Sequence, residues 1–287
     1  MRLCSHEYQW KTVKCMEVYI VDTTLRDGEQ KAGLALGSKD KIEIAKILDR
    51  IGVYQIEAGT PAMGGDEKKS IEKMMELNLK SKISAWNRMN LKDIEQSVEC
   101  GVDIIHISVP SSDIHIKSKL NKDRIWVVNN MKRCICFAKE KGFEVTIGLE
   151  DASRADFMFL IHICEIALSL GVRRIRYADT VGILHPQRIF EEVKQICTTV
   201  DVDVGIHVHN DFGMAVANSI AAVQGGAKYV DCTIGGIGER AGNCNYVQFI
   251  KALDAFSYIN KKTDIKNLKE AEREIRNIFN SPLFTRH

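Results

Sequence analysis

The chain has 287 residues, 45% of them hydrophobic and 27% charged, and its 40 Lys and Arg against 38 Asp and Glu leave a net charge of +2. These are ordinary globular values, and so balanced a charge provides no overall field that favours nucleic acid or an anionic membrane. Nine cysteines scattered without a paired framework fit a reducing compartment better than a disulfide scaffold.

In chain order, residues 1–17 show no clear pattern and read as an N-terminal extension; the opening MRLCSHEYQWKTVKC lacks the apolar stretch of a signal peptide. From Val18 a rhythm begins: a short β-branched run, a loop, a helix-period segment, then a glycine. The runs are VYIVDTTL (18–25), YQIEAGT (54–60), KISAWNR (82–88), IIHISVP (104–110), EVTIGLED (144–151), RIRYADT (174–180), VGIHVHND (204–211) and YVDCTIGG (229–236). Between them, segments such as KIEIAKILDRIG and MAVANSIAAVQGG place apolar residues at i, i+3 and i+4. Gly52, Gly101, Gly142, Gly171 and Gly226 stand where a left-handed helix end is wanted, and Ser38 and Asn90 where helix N-caps are. The most apolar long window, 157–172, contains His162 and Glu165 and reads as a buried-face helix, not a membrane span. The protein is therefore expected to be soluble and cytoplasmic, with no membrane and no nucleic-acid partner.

Strands alternating with helices imply parallel pairing and right-handed crossovers. Eight such units make an α/β chain of the (β/α)8, or TIM, barrel class. An open doubly wound sheet would more often show fewer strands and a glycine-rich phosphate turn after the first, where this chain has RDGEQ. The barrel is expected over 18–258, followed by a C-terminal helical segment over 259–287 with its helix near 264–279. Barrel chemistry collects at the C-terminal strand ends. Polar residues there include Arg26, Asp27 and Gln30, then Glu57, Arg88, Glu150, Asp179, Thr180, His207, His209 and Asp211. Residues two apart on a strand share a face, so His207 and His209 can grip one metal ion, with Asp211 on the same side. The plainer explanation is a pair of satisfied core histidines. Asp27 tips the balance, because it offers a hard oxygen at another strand end. GGIGERAGN after the eighth strand adds Asn243 as a further oxygen.

DTTLRDGEQ (22–30), HVHND (207–211) and GGIGERAGN (235–243) together resemble the DRE-TIM metallolyase superfamily, in its Claisen-condensing branch of homocitrate, 2-isopropylmalate and citramalate synthases. TPAMGGDE, WNR, LEDASRAD and RYADTVG look most like the nitrogenase-associated homocitrate synthases. The resemblance implies a divalent ion (Mg2+, Mn2+ or Zn2+) on Asp27, His207, His209 and Asn243, chelated by a 2-oxo acid, with acetyl-CoA as co-substrate. It assigns Arg26 to the developing oxygen charge and Glu150 to proton transfer, and places Gln30, Arg88 and Thr180 on the oxo acid; Glu57 joins them as an expected substrate contact. The implied reaction is a metal-dependent acyl transfer, giving homocitrate if the acid is 2-oxoglutarate.

Two departures bear on this expectation. Lysine-pathway homocitrate synthases carry an Arg on the fifth strand where this chain has Thr146. Family synthases also continue into a C-terminal lid region, which implies a homodimer or a hetero-oligomer whose other chain supplies the lid; the stretch 111–120, read as a long loop, is its expected docking surface. Rival readings are another synthase of the branch (2-isopropylmalate, citramalate or Re-type citrate), a hydroxyacyl-CoA lyase, and a barrel subunit inactive or weakly active alone. The lyases place a cysteine in the loop after the eighth strand; here that loop reads GGIGERAG and Cys244 lies beyond it.

Overall fold

The computed structural model describes residues 17–256 and 264–280. Eight parallel strands close into a barrel in sequence order: β1 (Tyr19–Asp22), β2 (Gln55–Gly59), β3 (Lys82–Arg88), β4 (Ile104–Pro110), β5 (Glu144–Glu150), β6 (Arg174–Asp179), β7 (Asp203–Val208) and β8 (Tyr229–Cys232). Closure is made by β1 against β8, in register from Tyr19↔Tyr229 to Asp22↔Cys232. Helices α1 (Ser38–Arg50), α2 (Gly65–Glu76), α3 (Leu91–Cys100), α4 (Asp113–Leu120), α5 (Arg124–Glu140), α6 (Phe157–Ser169), α7 (Pro186–Thr199), α8 (Ala215–Gly225), α9 (Tyr246–Ala255) and α10 (Ile265–Phe279) accompany the strands.

The eight expected strands are all present, shortened at several C-terminal ends where the chain leaves the ladder to build the rim. Each of the five glycines expected at helix ends adopts positive φ, from 67° at Gly101 to 113° at Gly226, a backbone that an L side chain strains to reach. Asn90 caps α3 by accepting the Lys92 N–H at 3.0 Å. Ser38 does not cap α1. Gly37 holds that place, and the Asp40 carboxylate three residues on accepts the Gly37 N–H at 2.9 Å. The stretch expected to be a loop at 111–120 is largely the helix α4, started by the Ser112 hydroxyl accepting the His115 N–H at 3.1 Å. The C-terminal helix falls where expected, capped by Asp264 and burying Leu268, Ala271 and Ile275. Of the extension, residues 1–16 lie outside the described residues, as do 257–263 and 281–287. Among the described residues no helix is long and apolar enough to cross a membrane.

Strand alternation sorts the side chains. Ile105, Ile107 and Val109 of β4, Val145, Ile147 and Leu149 of β5 and Val204, Ile206 and Val208 of β7 join the aliphatic cluster under the helices. Their neighbours point into the lumen, and many are polar: Glu57, His106, Arg176, His207 and Asp231 are all buried. At the N-terminal end the rings of Tyr19, Tyr54 and Tyr229 pack at 4.7–5.5 Å between centroids, and the Arg174 guanidinium lies 4.4 Å above Tyr229.

Asp22, at the end of β1, is fully buried. Its Oδ1 accepts the Thr24 N–H at 2.9 Å, while Oδ2 has no partner. Burial pushes its carboxyl up to about 7, against the smaller opposing effect of the Thr24 bond. A raised folded-state value favours folding below the unfolded carboxyl's range and loses that contribution as the pH rises through about 7. Wild-type stability should therefore fall, relative to Asp22→Asn, by on the order of a few kcal/mol between about pH 4 and pH 8. Denaturant midpoints of the two proteins across that range test this, and parallel curves would exclude it.

Candidate metal centre and active site

The rim turn after β1 and the end of β7 bring three ligand atoms together. His207 Nε2 lies 3.3 Å from His209 Nε2 and 3.4 Å from Asp27 Oδ2, and His209 Nε2 lies 3.9 Å from the same oxygen. The three residues are buried and offer ligand atoms within 4.8 Å of one another. Two nitrogens bound at about 2.0–2.1 Å to one ion stand roughly 3.0–3.4 Å apart, so the donor set fits a divalent metal. The surroundings fit it too. Asp231 Oδ2, 3.0 Å from His207 Nδ1, fixes the ring so that Nε2 faces the triad, and His209 Nδ1 is buried without a partner. Burial would strip the proton from His207, but Asp231 and Asp27 outweigh it and push the ring up to about 9. Burial, then the charge of His207, pushes His209 down to about 4. Burial works against Asp27 as well, yet the Arg26 guanidinium and His207 hold its carboxyl well below the usual range.

Asn243 reaches the triad beside His209 but presents its amide nitrogen, which donates to Asp27 Oδ1 at 2.6 Å; its oxygen is buried without a partner. Asp211 does not face the triad. The chain leaves the ladder after Val208, and Asp211 turns to Arg240 at 2.8 Å. Asp179 orients the turn after β6 by accepting the N–H groups of Ile183 and Leu184.

Beneath the triad lies a closed circuit of opposite charges. Arg26 Nη1 meets Asp27 Oδ2 at 2.8 Å and Arg26 Nε meets Glu57 Oε1 at 2.6 Å. Glu57 Oε2 accepts from Arg176 Nη2 at 2.6 Å, and Arg176 Nε lies 3.0 Å from Asp231 Oδ2, which returns to His207. Burial would neutralise Glu57, but Arg176 and Arg26 hold it ionised, well below the usual carboxylate range. Both of its oxygens are taken and its side chain is fully buried, so Glu57 orients two arginines and is not free to touch a substrate. Arg176 and Asp231 are the members that the sequence reading missed. They sit mid-strand, below the rim; the available signal was an ionisable residue at an inward position of a strand buried on both faces, where it requires a partner.

The triad opens into a cavity of about 440 Å³ also lined by Arg26, Gln30, His106, Thr180 and Glu239. A second cavity, of about 720 Å³, lies between α3, α4 and α5. Glu150, Ser108, Trp86 and Lys119 line both. Glu150 thus stands at the junction, its Oε1 paired with Lys119 and its Oε2 accepting from the Ser108 hydroxyl at 3.3 Å. Arg88 lines the larger cavity, not the one with the triad. Trp86 occupies the position one alternation earlier, and Asp93 at the start of α3 holds the Arg88 guanidinium outward at 2.6 Å, 67% exposed. Thr180 lines the smaller cavity, and its hydroxyl accepts the Asp151 N–H at 2.9 Å.

A parallel barrel with a buried Asp-His-His set at the C-terminal mouth, beside a carboxylate shared by two cavities, has the architecture and donor set of a metal-site (β/α)8 enzyme. The chain matches the HMGL-like family over residues 17–275 and belongs to it. It is 58% identical over 264 residues to homocitrate synthase subunit alpha of Clostridium pasteurianum, covering 92% of this chain and 98% of that one. It is 47% identical to 2-isopropylmalate synthase 2 of Caldanaerobacter subterraneus, over 93% of this chain and 69% of that one, and 41% identical to homocitrate synthase 1 of Nostoc sp., over 88% and 67%. Among solved structures, HMG-CoA lyase of Bacillus subtilis superposes with a TM-score of 0.82 at 19% identity, over 93% of this chain and 95% of that one; at that identity the likeness is one of fold. The chain is an acyltransferase of the condensing-synthase type.

Replacing both His207 and His209 by Ala should abolish retention of a divalent ion, read by elemental analysis after desalting; stoichiometric metal in the double variant would exclude the assignment. Glu57→Gln should cost about 3–5 kcal/mol of stability, as loss of one partner in a buried ion pair does. A denaturation midpoint unchanged from wild type would show that the circuit is not under that constraint.

Proposed function

We propose that the chain condenses acetyl-CoA with 2-oxoglutarate and hydrolyses the thioester to give homocitrate. The observation that carries this reading is the position of Glu150, shared between the cavity of the metal triad and a larger cavity that can seat a thioester. The 58% identity to a homocitrate synthase subunit supports the choice of acid.

Asp27, His207 and His209 would hold a divalent ion, which would supply Lewis acidity toward the carbonyl of a bound 2-oxo acid. Arg26, 11% exposed and fixed by Asp27 and Glu57, aims its guanidinium at the oxygen charge that develops as the carbonyl is attacked. Gln30 and Thr180 line the space left for the acid. The acyl-CoA occupies the larger cavity, where Arg88, Lys92 and Arg133 offer cations to its phosphates and Trp126 and Leu120 an apolar wall. Arg88 thereby passes from the oxo acid to the CoA. Glu150, at the junction, takes the proton from the acetyl methyl. The lyase alternative is the weaker one: Cys244 is fully buried and lines neither cavity.

A partner polypeptide completes the site as a lid. Six of the seven large apolar side chains exposed among the described residues, Met63, Ile114, Ile125, Met158, Ile183 and Phe212, lie on the loops and first helical turns that follow the C-terminal strand ends, around the mouth. Such a grouping marks an interaction surface, and the Clostridium relative is named as a subunit. The isolated chain should bind metal and oxo acid yet turn over slowly, with a lid subunit raising kcat; turnover of about 1–10 s⁻¹ without a partner would overturn this.

The direct test is thiol release from acetyl-CoA against a panel of 2-oxo acids. The expected result is the highest kcat/KM with 2-oxoglutarate; preference for pyruvate, 2-oxoisovalerate or oxaloacetate would reassign the product to citramalate, 2-isopropylmalate or citrate. Arg26→Lys should lower kcat at least about 10²-fold with a smaller change in oxo-acid KM. A defect confined to KM would make Arg26 a carboxylate clamp.

A further inference from the structure

Helix α4 carries a histidine that the mechanism above leaves unused. His115 lines the triad's cavity, and its side chain is 14% exposed. Its Nδ1 lies 3.4 Å from Glu150 Oε1, and its Nε2 lies 3.2 Å from Arg154 Nη2 and 3.6 Å from Asp151 Oδ2. A guanidinium can only donate, so Nε2 is the acceptor and the ring proton of the neutral imidazole sits on Nδ1. That N–H is buried without a hydrogen-bond partner, and the Glu150 carboxylate faces it from just beyond bonding distance.

The support around this pair is built. Asp151 takes the left-handed conformation, φ 60°, which is uncommon outside glycine and persists only where the surroundings hold it. Arg154 holds it at 2.8 Å, the Ser112 hydroxyl donates to it, and Thr180 accepts its N–H. Glu150 and Asp151 consequently flank one imidazole, and Ser112, which caps α4 through the N–H of His115 itself, ties the helix to the same carboxylate.

We propose that His115 is a positioning residue for Glu150. Its Nδ1–H closes on Oε1 when substrate fills the cavity, orients the carboxylate toward the thioester and keeps it ionised until it takes the methyl proton. In that step the methyl C–H bond breaks, its electron pair becomes the enolate C=C with the charge on the thioester oxygen, and the proton goes to Glu150. His115 donates a hydrogen bond throughout and keeps its own proton. The other groups on the Glu150 carboxylate are Lys119 from α4 and Ser108 from β4; Asp151 and Arg154 stand beside it in its own loop, and Arg26, His106, Arg176, His207, His209, Glu239 and Arg240 line the same cavity. Lys119 is half exposed, so water weakens its hold on the carboxylate, whereas the imidazole is largely buried and held at Nε2 by Arg154.

The inference rests on the condensing function proposed above, and the experiment separates the two. Wild type, His115→Ala and His115→Asn are compared in thiol release with 2-oxoglutarate and in solvent-deuterium incorporation into the acetyl methyl. Asn keeps an N–H near the place of Nδ1. His115→Ala should lower kcat/KM for acetyl-CoA about 10–10²-fold and move the acid limb of its pH profile up by about one unit, because the carboxylate loses a donor; His115→Asn should restore most of both. Wild-type exchange and an unmoved acid limb in His115→Ala, or an Asn variant that folds and is no better than Ala, overturns the positioning role while leaving the function intact. Wild type that releases thiol with no 2-oxo acid overturns the function and the inference with it.

Discussion

The middle of this barrel's lumen is organised by one electrostatic requirement: each charge beneath the metal triad meets its opposite within about 3.4 Å. From Asp27 through Arg26, Glu57, Arg176, Asp231 and His207 back to Asp27, the signs alternate around a closed path. Its members are buried or nearly so, and loss of one leaves two neighbours unsatisfied. Where many barrels fill this layer with branched aliphatic side chains, this one uses the strand pleat to send aliphatics outward under the helices and ion pairs inward. Stability thus rests on the outer cluster, and the inner layer is free to set geometry.

That division explains how the metal-binding set is held. His207 and Asp27 belong both to the circuit and to the triad, so their positions are fixed from below by Asp231 and Arg26 before any ligand arrives. His209 stands just above the circuit with Nδ1 unpartnered. Preorganisation of this kind lets the site present donors without first moving them. The same arginine that anchors Asp27 faces the cavity, so one guanidinium both shapes the ligand set and borders the space above it.

Most of the architecture was legible because its signals are local. Eight β-branched runs, helix-period segments and five glycines at helix ends each state their element within a few residues, and the glycines proved left-handed at every position. Asp27, His207 and His209 were legible because they cluster at strand ends. What stayed hidden depends on direction. The sequence does not say that Asp93 draws Arg88 outward, that Asp211 turns to Arg240 once β7 has ended, or that the Asn243 amide presents nitrogen toward Asp27. Nor does it say that both oxygens of Glu57 are taken, by Arg26 in the turn after β1 and by Arg176 on β6. The segment 111–120 reads as a loop because its apolar residues are few and irregular, and the Ser112 cap that starts its helix shows only in the direction its hydroxyl takes.

The tyrosine cluster under the barrel has a consequence for traffic. Tyr19, Tyr54 and Tyr229, with Arg174 laid across the last, stop the N-terminal end, and the charge circuit fills the middle. The triad's cavity is therefore closed from below, and access to it comes from the C-terminal side. With the oxo acid on the triad and the acyl-CoA across Glu150, as proposed above, the smaller substrate would enter first and its product leave last. Sequence of arrival and departure would then follow from depth, without a moving gate.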